Sequence, residues 1–133
     1  MKTEKIEHGG KTFAVIIRDG ANLETTTFLT PQDYPLQVGF LVHKKGEEVK
    51  AHRHNKISRT VNFTEEVLIV QKGKMEIDFY DNDGEKIKSS TAKEGDIIIL
   101  LDGGHGWKHD EDSKIVEVKQ GPYVDVKDDK TYL

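Results

Sequence analysis

The chain has 133 residues, 35% hydrophobic and 33% charged, which fits one domain, residues 1–133, around one modest core. Its 20 basic and 24 acidic residues are interspersed, leaving a net charge of −4 and no basic block, which argues against nucleic acid and membrane surfaces as partners. There are no cysteines, so disulfides, thiol nucleophiles and thiolate metal sites are excluded together, and a reducing, cytoplasmic setting fits.

The opening stretch MKTEKIEHGG is charged and lacks the apolar run of a signal peptide. No segment keeps a helical period, so no helix longer than about two turns is expected. TFAVIIR at residues 12–18 is the first expected strand, closed by Asp19-Gly20. Two prolines make residues 30–35 a loop, and LQVGFLVH at 36–43 is the next strand, ended by Lys44-Lys45-Gly46. Residues 48–54 alternate and are expected to form a strand carrying two histidines, His52 and His54.

VLIVQ at 67–71 and MEIDFYD at 75–81 flank Lys72-Gly73, which suggests a hairpin. Asn82-Asp83-Gly84 is a second hairpin signal, with residues 86–92 pairing back across it. After the turn at Glu94-Gly95-Asp96 comes IIILL at 97–101, far shorter than a membrane span. GGHGW at 103–107 is expected to bend, residues 114–120 form the last strand, and the charged tail ends in an arm. Short strands with regular turns are the pattern of a β-sandwich or barrel. VLIV and IIILL are apolar at both parities, so both faces of those strands should be buried; the outward set with Val67 and Ile69 needs cover from the other sheet's strands or from a second subunit.

On a strand, residues i and i+2 share a face about 6.6 Å apart at Cα. Two imidazoles so placed can converge on one ion, so His52 and His54 form a candidate metal half-site only if residues 48–54 are a strand. Glu66 opens the VLIV strand and could add a carboxylate, and His105 lies among glycines that allow close backbone approach. Three imidazoles and a carboxylate suit Zn, Fe, Ni, Cu or Mn without choosing among them.

Gly46, five residues, His52, one residue, His54, then Glu66, six residues, Gly73 resembles the first motif of the cupin superfamily. Gly95 through His105 approximates the second, and the likeness covers about residues 36–120. The resemblance implies an all-β double-stranded β-helix, a jelly-roll barrel, holding one divalent ion on His52, His54, Glu66 and His105. Eleven residues separate His54 from Glu66 where the family has three or four, which leaves Glu65 as a rival ligand. Leu101 replaces a usual proline, and His109 stands where an asparagine is common, a backup candidate. The ending GGHGWKHDEDSKIVEVKQGPY is similar to small stand-alone cupins associated with polysaccharide and nucleotide-sugar biosynthesis.

Three functions compete. One is a metal-dependent isomerase or epimerase acting by Lewis-acid chemistry on a small polar or sugar-derived substrate, with Glu65 or His109 as the base. Another is an iron-dependent dioxygenase, and the third a sugar-binding or sensing protein without catalysis. Arg53 and Arg59 are candidates to hold an anionic group, and Trp107 to offer a stacking face. His8 and His43 are expected to be solvated or structural. The expected assembly is a homodimer.

Overall fold

The computed structural model describes residues 2–133. Its strands are β1 (Thr3–His8), β2 (Lys11–Ile17), β3 (Thr27–Phe28), β4 (Gly39–Phe40), β5 (Glu66–Lys72), β6 (Lys74–Tyr80), β7 (Lys86–Lys93), β8 (Ile97–Leu100), β9 (Gly104–His109) and β10 (Lys114–Lys119). One helical turn, α1 (Val126–Asp129), follows. The protein is all-β, every strand pair is antiparallel, and among the described residues no helix is long and apolar enough to cross a membrane.

The chain divides into two compact units. The larger comprises Met1–Asn22 and Thr64–Leu133. It contains a five-stranded sheet, β1-β2-β8-β5-β10, and a three-stranded sheet, β7-β6-β9. Ile6, Ala14, Ile16, Leu68, Val70, Ile98 and Leu100 from the first sheet pack with Met75, Ile77, Phe79 and Ala92 from the second. This shared core holds the two sheets face to face, since each buries one apolar face.

The central strands are buried at both parities, as their sequences require. Leu68 and Ile98 face the core at 1% and 0% exposure, and Val67 and Ile99 on the reverse face are at 8% and 0%. The hairpin expected across Lys72-Gly73 does not form. A single residue separates β5 from β6, too few for a two-residue hairpin loop, and both edges of β5 are taken by β8 and β10. Gly73, at φ +91°, carries the chain from one sheet into the other instead. The Asn82-Asp83-Gly84 hairpin does form, with β7 pairing back on β6.

Two further expectations change in this unit. β1 precedes the first expected strand; TEKIEH has one apolar side chain, Ile6, and that residue is buried at 2% exposure. GGHGW is not a bend: the turn is confined to 102–103, and the rest forms β9 against β6. Gly103, at φ +66°, approaches the Tyr80 carbonyl and the Phe13 ring too closely for any Cβ, which explains the glycine there.

The smaller unit is Leu23–Phe63. Its regular structure is the β3–β4 pair, extended by the Leu29 N–H bonding to the Val38 carbonyl. Thr30, buried at 7% exposure, accepts from the Val38 N–H and donates to Gln37. Of the strand expected at 36–43, only Gly39–Phe40 is realised. The strand expected at 48–54 is absent. Its alternation rested on one apolar residue, Val49, which is 66% exposed, among charged neighbours that favour solvent over a ladder.

Candidate functional site

Register places the larger unit's candidate residues. Glu66 opens β5 between Leu100 on β8 and Lys119 on β10. Its face is shared by Leu68, and so points at the facing sheet. On β9, His105 lies opposite Phe79, Trp107 opposite Ile77 and His109 opposite Met75. All three therefore sit on the core-side parity of their sheet.

Glu66 and His105 meet across the two layers, His105 Nε2 standing 3.5 Å from Glu66 Oε2. The glutamate is 7% exposed, and its Oε2 accepts no hydrogen bond. Its nearest donor, His105 Nε2, stands too far off for a good hydrogen bond, so this buried oxygen is under-satisfied and suited to receiving a further partner. The His105 ring stacks on Trp107, with centroids 5.8 Å apart and planes 11° from parallel. Trp107 is 38% exposed, so part of its ring faces solvent.

Sequence reasoning did not find Glu117. The IVEVK run invites burial of Val116 and Val118, yet these are 39% and 48% exposed. The β10–β5 register instead turns Ile115, Glu117 and Lys119 to the core-side face. A charge at that parity was the available signal. Glu117 lies against Glu66, and Lys119 Nζ is 3.8 Å from Glu117. Contact with His105 holds the Glu66 carboxyl below its ordinary range, partly opposed by burial. Burial, and then the Glu66 charge beside it, push Glu117 up.

Glu65 is buried at 3% exposure, and its backbone N–H donates to Gln120 Oε1 at 2.7 Å. Gln120 Nε2 is buried without an acceptor, so a second orphaned polar atom lies on β10's C-terminal flank. His109 is exposed at the far end of β9, four residues from His105, about 13 Å along the strand.

In the smaller unit the strand on which the His52–His54 half-site is conditional is absent; the two rings nevertheless lie edge-to-face, with centroids 5.3 Å apart. His52 Nδ1 lies 2.7 Å from the Lys50 carbonyl. With Nδ1–H donating there, the Nε2 lone pair is free to ligate. Arg53 and Arg59 are exposed. The remaining histidines have local partners: His8 with Asp81 at 3.6 Å, and His43 with Glu47 at 3.2 Å. The structure thus forms two pairs of candidate ligands, one in each unit. Among the described residues it gathers no group of three or more His, Asp or Glu side chains able to hold a metal ion.

Compared with known proteins, the chain matches no family model, no curated protein and no solved structure.

Proposed function

We propose that the protein is a metal-binding cupin with a double-stranded β-helix fold, acting on a small polar or sugar-derived substrate. Two antiparallel sheets facing each other across one core support the fold assignment. The observation that carries the metal is the meeting of Glu66 with His105 around a buried carboxylate oxygen that accepts no hydrogen bond. His52, His54, Glu66 and His105 are the proposed ligands of one divalent ion, zinc, iron, nickel or manganese. Such an ion supplies Lewis acidity, polarising a carbonyl oxygen as isomerisation or epimerisation requires.

The side chains of the site do the rest. Glu66 supplies negative charge, and the His105–Trp107 stack fixes both rings, leaving the exposed indole face to lie against a sugar ring. Glu117, beside Glu66 and with its carboxyl pushed up by burial and by the Glu66 charge, is the proposed acid–base group, a role open to Glu65 or His109 from sequence alone. Arg53 and Arg59 are the proposed partners of an anionic substituent.

The test is metal retention. His52→Ala and His105→Ala should each lose most of the bound metal, and Glu66→Gln should lose less than either. If Glu65→Gln empties the site and Glu66→Gln does not, the carboxylate ligand is Glu65. If the metal is iron and oxygen is consumed with phenolic compounds, dioxygenase chemistry replaces isomerisation.

A further inference from the structure

A second polar site stands in the larger unit, at the opposite end of β6. Lys74 opens that strand, and Phe79, opposite His105, lies five residues on, about 16 Å away. The register sets Lys74 directly opposite Lys93, the last residue of β7. Like charges at directly opposed positions on one face repel and destabilise a sheet. Neither lysine forms an ion pair among the described residues. Glu76, the next residue on that face, lies opposite Thr91 and pairs with neither.

The lysines border a cavity of about 500 Å³, whose lining also includes Lys2, Arg18, Asp19, Thr91 and Asp96. Within the lining four cationic side chains face two carboxylates, a surplus of two positive charges there, with Glu4 on Arg18 and Glu76 beside Lys74 just outside it. Asp96 cannot neutralise the lysines, because its carboxylate is committed elsewhere. It is 1% exposed and accepts from the Asp19 N–H at 2.8 Å, the Lys93 N–H at 3.0 Å and the Arg18 guanidinium at 3.2 Å. Arg18 is spent as well, on Glu4, Ser90 Oγ and the Thr91 carbonyl. The Asp96–Arg18 network therefore forms a fixed wall, and the Lys74 and Lys93 ammoniums and the Thr91 hydroxyl keep free donors at its rim.

We infer that this cavity binds a phosphoryl group carrying about two negative charges, seated between Lys74 and Lys93 with the Thr91 hydroxyl as a third donor and Lys2 closing the rim. A phosphoryl dianion matches the charge surplus and offers several acceptor oxygens to ammonium and hydroxyl donors. It also accounts for the opposed lysines, whose repulsion an anion between them removes. The site does not depend on the metal reading, sharing no residue with it.

The test is calorimetric titration of the intact protein at low ionic strength with inorganic phosphate and with pyrophosphate, beside melting curves. Wild type should bind at least one of the two and melt higher in its presence. Pyrophosphate binding the tighter identifies a diphosphate, and equal affinity a monoester. Lys74→Gln/Lys93→Gln should weaken binding at least tenfold and abolish the melting shift, and Lys86→Gln, which removes a lysine paired with Asp78, should stay within twofold. Without anion, Lys93→Gln should melt no lower than wild type, since the variant relieves repulsion. Absence of binding to wild type, equal affinity in the double variant, or an equal loss in Lys86→Gln overturns the assignment. So does Lys93→Gln melting lower without anion, because the lysine would then be structural.

Discussion

Asp96→Ala should be among the most damaging single substitutions outside the apolar core. The Asp96 side chain is 1% exposed and accepts two backbone N–H groups and one guanidinium N–H. Alanine removes all three acceptances, leaving the Asp19 and Lys93 N–H groups without their partner and Arg18 with Glu4 as its one remaining ion-pair partner. Hydrogen bonds to a charged group contribute about 1.5–3 kcal/mol each, and breaking a buried ion pair costs about 3–5 kcal/mol. Arg18 is 29% exposed, so water recovers part of its share, and the lower end of about 3 kcal/mol applies. For a chain of this length that corresponds to a fall in Tm of about 6–12 °C. Urea unfolding followed by circular dichroism should show a lower midpoint at unchanged slope. Asp96→Asn keeps one acceptor oxygen and should lose about half as much. An alanine variant within about 1 kcal/mol of wild type would refute the claim that this carboxylate ties the Arg18, Asp19 and Lys93 segments together.

Ile98→Ala should cost about 2–5 kcal/mol, because the side chain is 0% exposed between the two sheets, whereas Val118→Ala, at a half-exposed position, should cost under about 0.5 kcal/mol. Equal losses by denaturant unfolding would contradict the assigned faces. In metal-free protein, Glu117 and Glu66 pull the pH dependence in opposite directions. Glu117 is raised, so its contribution is present below the ordinary carboxylate range and lost as pH rises through its raised value; Glu66 is depressed, so its contribution is present above that range and lost as pH falls through its lowered value. Glu117→Gln should therefore gain stability relative to wild type as pH rises through and above the ordinary carboxylate range, and a difference that stays constant there would refute the raised carboxyl. The proposed homodimer, for which half-exposed Val116 and Val118 beside Ile69 offer an apolar strip, should appear by light scattering as twice 15.1 kDa; a 15.1 kDa species alone at micromolar concentration would count against it.

The strands most legible in the sequence were those whose apolar residues run at both parities. VLIV and IIILL can only be interior strands, and β5 and β8 are adjacent in the five-stranded sheet. Turn chemistry was legible where two or more residues make the turn, as at Asn82-Asp83-Gly84, and misleading where one glycine redirects the chain between sheets, as at Gly73. β1 was invisible because a single isoleucine gives no alternation, and its place depends on pairing with β2. In the site, Glu66 was named from its strand parity, His105 from its glycine-rich surroundings, and both from the family resemblance; the two do meet, although His105 was expected on a bend and stands on a strand. Glu117 was hidden because valines flank it, and only the register of β10 against β5 shows which parity faces inward. The strand at 48–54 failed for the complementary reason: polar alternation without a buried face leaves nothing to fix a ladder.

The most direct measurement on the metal claim is X-ray absorption spectroscopy of the protein purified without added metal, with metal content determined on the same sample. Close to one divalent ion per chain is expected, with outer-shell scattering from three imidazoles, a carboxylate oxygen in the first shell, and loss of one imidazole contribution or of the ion itself in His105→Ala. A sample with well under one ion per ten chains after dialysis against zinc, iron, nickel and manganese in turn, or an ion whose surroundings are unchanged by His105→Ala, would contradict it.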